Sequence, residues 1–510
     1  FWLKRGDTRA ARADPRGAGV GRVAPGPLHM AAASWGPATP QAVELLAKDF
    51  KSYVDLTPTP FHLCTESIKL LAAQGFKELK ESEPWCKGDL IKPGGRYYYT
   101  RNLSTLVAFV VGEKFEAGGG FHVIGAHSDT PVLKLKPCTK KSSAGFVQTA
   151  VQCYGGGLWH TWFDRELSVA GSVIVADGDG FKKRLVHIKR PILRIPTLCI
   201  HLQSAEERNA FAPNKETHLQ PILTTIEDIL NRPASGKPEE TSGAAQPDPR
   251  HAPELLSVLA DALGCRPEDI KDFDISLCDT VPGQFWGARN EFFSAPRLDN
   301  QVHCYTATRA LLEHATKQTG SETAVSMIVC FDHEEVGSDS LSGAGSPVML
   351  EAVERVSGCF AKGDEEMHRV SIRKSFLLSA DTAHAVHPNW VGKHDAGHMP
   401  MMNKGTAIKS NENQRYATNL ETGFMLREIA RQAGVAVQEF AVKNDCPCGS
   451  TIGPIISSKT GIRAVDLGIA ILSMHSIRET LGVADIMNSL VLFKTFFSRF
   501  RALDDACIFS

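Results

Sequence analysis

Five short apolar runs, each stopping at or just before a titratable or turn-forming residue, constrain this chain more than any other feature. They are STLVAFVVG (104–112), FHVIGAH (121–127), AVSMIVCFD (324–332), KSFLLSAD (374–381) and GIRAVDLG (461–468). Runs this short, β-branched and bounded by Gly-containing turns, read as strands. Helix-like segments lie between several of them. NLETGFMLREIARQAG (419–434) closes on Gly434, and TPQAVELLAKDFKSYV opens on a Thr39–Pro40 start signal. That first segment puts Val43, Leu46, Ala47, Phe50 and Val54 on one face. Strand alternating with helix predicts an α/β fold, a largely parallel sheet sandwiched by helices.

At 510 residues the chain exceeds one ordinary core, which predicts two domains. Residues 132–287 differ from their surroundings, with β-type stretches (LKLKP, GFVQTAVQCY, RLVHIKRPILRIPTLCIHLQ) and few helices. They are read as a β-rich domain inserted into a first domain made of 39–131 and 288–510. The Pro/Gly-rich stretch at 231–254 is expected to be a mobile loop. Residues 1–38 are expected to be a disordered or non-native extension. A transit peptide is the alternative, weakened by Asp7 and Asp14 and by little serine.

The formal net charge of −1 gives no electrostatic case for nucleic acid or an acidic membrane surface, and no apolar run approaches a membrane span. Thirteen cysteines, scattered through runs such as MIVCF and TLCIHL, are read as buried reduced thiols, which suits a reducing compartment. Cys446 and Cys448 are too close for a zinc-ribbon knuckle. YGGGLW (154–159) is read as a flexible turn, because no lysine follows at the spacing of a phosphate loop.

Ligands of an open α/β sheet bind beyond the carboxyl ends of its strands. After HVIGA come His127, Ser128 and Asp129; after FFSAPRL comes Asp299; after MIVCFDH come Glu334 and Glu335. After FLLSA comes Asp381, and past AVDLGIAILSM comes His475. Imidazole and carboxylate suit zinc, and two metals are commonly bridged by one carboxylate. Two adjacent glutamates then have distinct tasks, one as ligand and one as proton acceptor. His127-x-Asp129 fits an aspartate that orients a ligating histidine. Singly each signal is bland: His-x-Asp is common, Glu–Glu is usually a solvated helix face, and an Asp after an apolar run is often an N-cap. The ordered combination carries the weight. His387, His394 and His398 lie in a polar loop, and His160 and His303 are read as structural.

In this order, IGAHSDTP, APRLDN, DHEEVGS, SADTAHAVHPN, NQRYATN and LSMHSIRE resemble the aspartyl aminopeptidases (M18), a group of co-catalytic zinc exopeptidases. The likeness runs from about residue 40 to 505 and takes in YGGGLWHTWFDREL. It implies two zinc ions per subunit, with Mn or Co as substitutes. Asp299 is then the bridge, His127 and Asp381 complete one ion's set, and Glu335 and His475 complete the other's. Glu334 becomes the general base, with Asp129 behind His127. Substrate contacts are implied at His201, Glu334, Asp381, His384, Lys409 and Tyr416. The implied reaction is hydrolysis of the first peptide bond, with preference for N-terminal aspartate or glutamate. The likeness also implies that the inserted domain mediates dimerisation within a tetrahedral homododecamer. A cytoplasmic location is expected, with a transit peptide or a vacuolar destination left open. The rivals are a neutral-residue aminopeptidase of the same family and a non-catalytic assembly that binds peptide or cargo.

Overall fold

The computed structural model describes residues 39–88, 90–227, 246–317 and 320–507. The expected extension at 1–38, and most of the expected loop at 231–254, lie outside these residues. The chain's first described helix, Pro40–Leu56, starts where Thr39 predicts. The Thr39 hydroxyl accepts a hydrogen bond from Ala42 N at 3.2 Å, and proline fills the first turn. Leu46, Ala47, Phe50, Tyr53 and Val54 on its inner face are buried.

All five apolar runs become strands of one nine-stranded sheet. Its centre is four parallel strands in the order Val325–Phe331, Phe121–His127, Phe376–Ala380 and Arg463–Gly468. Antiparallel neighbours flank this core: Thr105–Val111 on one side and Thr406–Ser410 on the other. The sheet is therefore mixed at its margins and parallel where the runs are most apolar. Both faces are covered. Leu106, Ala108, Val110, Ile124 and Ala126 face helices Pro40–Leu56, Leu298–Thr316 and Val483–Ala506. Val107, Phe109, Val111, Phe121 and Val123 face Val348–Ala361 and Ile452–Thr460. Side chains alternate between faces with period two, so a strand covered on both sides must be apolar at every position.

A six-stranded antiparallel sheet occupies the middle of the sequence, in the order Gly180–His187, Leu167–Asp177, Ile270–Asp279, Val132–Ser143, Phe146–Tyr154 and Ile222–Thr225. A separate core lies beneath it, closed by helix Pro253–Leu263. That helix begins inside the stretch read as a loop. Leu255, Leu256, Leu259, Ala260 and Leu263 have helical spacing and are buried, and Gly264 ends the helix at φ +63°. Strand Gln284–Trp286, read with the inserted region, instead pairs with Phe292–Ala295 in a five-stranded sheet that also holds Glu479–Gly482, Ala470–Leu472 and Ala383–His384.

The reading of the cysteines as uniformly reduced needs a correction. Cys86 and Cys359 form a disulfide, although 273 residues separate them. Neither sits in a spacing pattern that could have announced the other. Eleven cysteines are free, Cys64, Cys278, Cys304 and Cys330 among the buried ones. Among the described residues no helix is long and apolar enough to cross a membrane.

Candidate active site

The carboxyl ends of the parallel strands converge on one cluster. His127 is the last residue of its strand, Asp381 follows Ala380 directly, and Glu334 and Glu335 lie three and four residues beyond Phe331. Asp299 opens helix Leu298–Thr316, and His475 follows the short strand Ala470–Leu472.

His127 points its Nε2 at two carboxylates, 3.2 Å from Asp381 Oδ1 and 3.3 Å from Asp299 Oδ1. Its Nδ1 lies 3.1 Å from the Asp129 carbonyl oxygen. Donation from Nδ1 leaves Nε2 free to ligate. On the other side, His475 Nε2 lies 3.5 Å from Asp299 Oδ2 and 3.4 Å from Glu335 Oε1. Its Nδ1 lies 3.1 Å from the Gly156 carbonyl oxygen. Three overlapping groups bring ligand atoms within 4.8 Å of one another: His127–Asp299–Asp381, Asp299–Glu335–His475 and His127–Glu334–Glu335.

Burial pulls the His127 imidazole down, but Glu334, Asp129, Asp299 and Asp381 outweigh it and hold the pKa well above the usual range. Burial also opposes His475, which Asp299 and Glu335 lift to about 10. Burial raises Asp299, and His127 and His475 more than reverse this. Burial raises Glu334 to about 8 against the pull of His127, with Asp381, Asp129 and Asp299 adding to the rise. Burial and then Asp299 push Glu335 well up. So many acids packed together, several of them buried, need positive charge.

Zinc fits these residues on a direct observation. Asp299 Oδ1 and Glu335 Oε1 are buried without a hydrogen-bond partner. An orphaned buried carboxylate oxygen is costly, and both oxygens face an imidazole Nε2. Oxygen and imidazole nitrogen are zinc's usual donors besides thiolate.

The remaining expected residues divide. Lys409 is buried, its Nζ 2.9 Å from Asp381 Oδ2 and 5.3 Å from the centre of the Tyr416 ring. Tyr416 is buried too. His384 stands at the rim, solvent-accessible yet edge-on to Phe440 at 5.5 Å. Partial desolvation by the side chains around it, and then the charge of Lys409, lower its pKa to about 4. His201 stands apart, on the exposed turn Ile200–Leu202 beyond the six-stranded sheet.

Several supporting groups are illegible in the sequence. Asp129 does more than face His127. Its Oδ1 accepts from Glu334 N and its Oδ2 from Glu335 N, each at 3.1 Å, so it fixes the glutamate pair through the backbone. Tyr154, from the six-stranded sheet, donates to the same Oδ2 at 2.6 Å. Glu479 is buried, and its two oxygens accept from His475 N at 2.7 Å and Asp299 N at 2.8 Å. YGGGLW is more than a turn, since Gly156 orients His475 and Leu158 N donates to the His475 carbonyl at 2.9 Å. His303 is structural, as read: it is buried, its Nε2 accepts from Ile469 N, and its Nδ1 lies 2.6 Å from Asn300 Oδ1. The segments YGGGLWHTWFDREL and LSMHSIRE, both part of the likeness, carry Tyr154, Gly156 and Glu479 without giving any of them a role.

The profile of the aminopeptidase I zinc metalloprotease (M18) family matches residues 53–497. The chain belongs to this family. The aspartyl aminopeptidase of Dictyostelium discoideum is 43% identical to this M18 chain over 477 residues, covering 90% of it and 97% of that relative. A chain of the cryo-EM structure of the Ape4 and Nbr1 complex superposes with a TM-score of 0.87 at 39% identity, over 93% of this chain and 90% of its own. A subunit of the S. cerevisiae mApe1 dodecamer superposes with a TM-score of 0.77 at 31% identity, over 90% and 98%. Membership makes the chain a zinc aminopeptidase, and the cluster supplies donors for that metal.

Proposed function

We propose that this chain releases N-terminal aspartate or glutamate from peptides, using two zinc ions that the cluster around Asp299 would hold. The observation that carries the acidic preference is Lys409, the one buried lysine among the described residues, held against the metal cluster. A substrate carboxylate entering a pocket of carboxylates needs a fixed cation, or repulsion and desolvation exclude it. Lys404 and Arg415, the other nearby cations in sequence, are exposed. The relative named aspartyl aminopeptidase supports the same preference.

His127 and Asp381 would hold one ion, and Glu335 and His475 the other, with Asp299 shared. Zinc bound there supplies a Lewis acid for the scissile carbonyl and acidifies water. Glu334 takes the proton of the attacking water and returns it to the leaving amine. A carboxylate held within ligand distance of His127 and Glu335 is placed for both halves of that exchange. Asp129 keeps Glu334 aimed by holding its amide. Asp381 and Glu334 border the space for the substrate's free α-amine, which restricts cleavage to N-termini. Tyr416 and His384 flank the acidic side chain beside Lys409.

His201 serves the active site of a neighbouring subunit, since its own chain leaves it exposed. The inserted sheet forms the dimer contact within a homododecamer, the assembly of the related mApe1. The free cysteines suit a reducing compartment such as the cytoplasm. The deciding experiment is a panel of aspartyl, glutamyl, alanyl and leucyl substrates on the purified protein, with and without a chelator. Acidic substrates should dominate, and the chelator should abolish turnover. Preference for leucyl substrates would favour the neutral-residue reading, and no hydrolysis at all would favour a binding assembly.

A further inference from the structure

Behind the acidic pocket lies a carboxylate that the reaction does not use. Asp466, in strand Arg463–Gly468, is completely buried. It stands opposite Lys409 in the antiparallel pairing of that strand with Thr406–Ser410. Opposed residues of an antiparallel pair project to the same face. Asp466 Oδ2 accepts from Ala417 N at 2.6 Å, and Oδ1 accepts from the Thr451 hydroxyl at 2.6 Å. The Asp466 amide in turn donates to Thr418 Oγ1 at 3.0 Å. One buried residue thus grips both residues that follow Tyr416 and the start of helix Ile452–Thr460. That helix packs directly on the carboxylate: a Cβ at Gly453 would stand 2.4 Å from Oδ2.

We propose that Asp466 is a positioning residue for acidic selectivity, locking the Tyr416–Thr418 segment so that Tyr416 stays against Lys409. The proposal rests on the acidic-pocket reading above. Tyr416 belongs to a loop, and loops hold a side chain only as firmly as their backbone is held. The Ala417 amide is the backbone group next to Tyr416, and its acceptor is a carboxylate rather than a neutral group. Charge-assisted hydrogen bonds of this kind are the stronger ones. An asparagine of the same shape keeps both contacts only with its oxygen on the Ala417 N–H and its NH2 donating to the Thr451 oxygen, and neither bond is then charge-assisted.

The test measures kcat/KM for aspartyl and alanyl substrates on the assembled, zinc-loaded protein. It compares the wild type with Asp466→Asn, Thr451→Ala, Thr451→Ser and Lys409→Met, with melting temperature and zinc content as controls. Asp466→Asn should lower the aspartyl-to-alanyl ratio by roughly tenfold or more, mainly through the aspartyl KM, at full zinc content. Thr451→Ala should lower the ratio less, and Thr451→Ser should retain it. Parallel loss on both substrates, or an unchanged ratio in Asp466→Asn, would overturn the proposal. Should Asp466→Asn fail to fold, Thr451→Ala against Thr451→Ser decides alone. A Lys409→Met variant with unchanged ratio would sink the acidic-pocket reading itself. A shifted ratio in Lys409→Met beside an unchanged one in Asp466→Asn would sink only the positioning role.

Discussion

The two large sheets bury themselves differently. The nine-stranded sheet is closed by helices on both faces, and its central strands are buried at every position. The six-stranded sheet has one core and one covering helix, and Gly180–His187 is exposed over most of its length. Of the nineteen exposed large apolar residues described, nine fall between 132 and 279, among them Phe181, Ile200 and Leu202, exposed by 73, 60 and 72%. That much uncovered apolar surface on one segment is what an association surface looks like. Yet this second sheet also reaches the active site of its own chain, through Tyr154 on Asp129 and Gly156 on His475. The ends of the closed sheet and of the five-stranded sheet carry the candidate ligands, and the open, six-stranded region touches Asp129 and His475 beside them.

The sharpest break in this comparison is Asp299→Ala, which acts at the cluster itself and leaves the six-stranded sheet untouched. Because Asp299 faces both histidines, the variant should lose zinc from both positions and with it nearly all turnover. Two tightly held zinc ions with normal rates would end the bridged arrangement. The open sheet is tested next by mixing inactive His201→Phe subunits with inactive Glu334→Gln subunits. Mixed particles should show activity that neither parent has, and verified mixed particles without it would confine each active site to one chain. Tyr154→Phe probes the reach of the open sheet within one chain. Losing the 2.6 Å bond to Asp129 should cost about 10–100-fold in kcat/KM or zinc affinity, as removal of outer-shell partners does. Unchanged kinetics would make the contact incidental.

The smallest effect concerns stability. His122 lies inside the closed sheet, its ring 5.8 Å from that of Phe496 and 5.0 Å from that of Phe500, with neither ring nitrogen hydrogen-bonded. Burial, then the charge of Arg501, depress its pKa to about 3. A histidine so depressed contributes stability that is complete above its unfolded pKa near 6.5 and is lost as pH falls from there toward 3. Between pH 6.5 and 4.5 the loss should approach about 2–3 kcal/mol, at roughly 1.4 kcal/mol per unit. Denaturant unfolding at pH 7 and 4.5 measures this loss, and His122→Phe should shrink it. Equal pH dependence in both proteins would place the acid lability elsewhere.

What the sequence reveals follows the same division. Strands covered on both faces leave continuous apolar runs, so the strand ends, and with them His127, Glu334, Glu335 and Asp381, stand out from composition alone. Asp299 and His475 needed the family likeness to acquire roles, because neither directly ends one of those runs. The roles of Glu479, Tyr154, Gly156 and Asp466 could not be read. Each acts by a hydrogen bond to a residue that only the fold brings near, and a glutamate or tyrosine in a strand looks the same whatever it touches. The Cys86–Cys359 pair was hidden for the same reason. Helix Pro253–Leu263 was hidden differently, because the Pro- and Gly-rich stretch before it masked where its apolar spacing begins.

The central claim is that adjacent glutamates divide the work, Glu335 holding metal and Glu334 moving the proton. Zinc content and kcat of Glu334→Gln, measured beside the wild type on the same preparation, test it most directly. The account predicts two zinc ions per chain in both proteins and a kcat lower by orders of magnitude in the variant. Loss of a zinc ion from Glu334→Gln, or turnover close to that of the wild type, would contradict it.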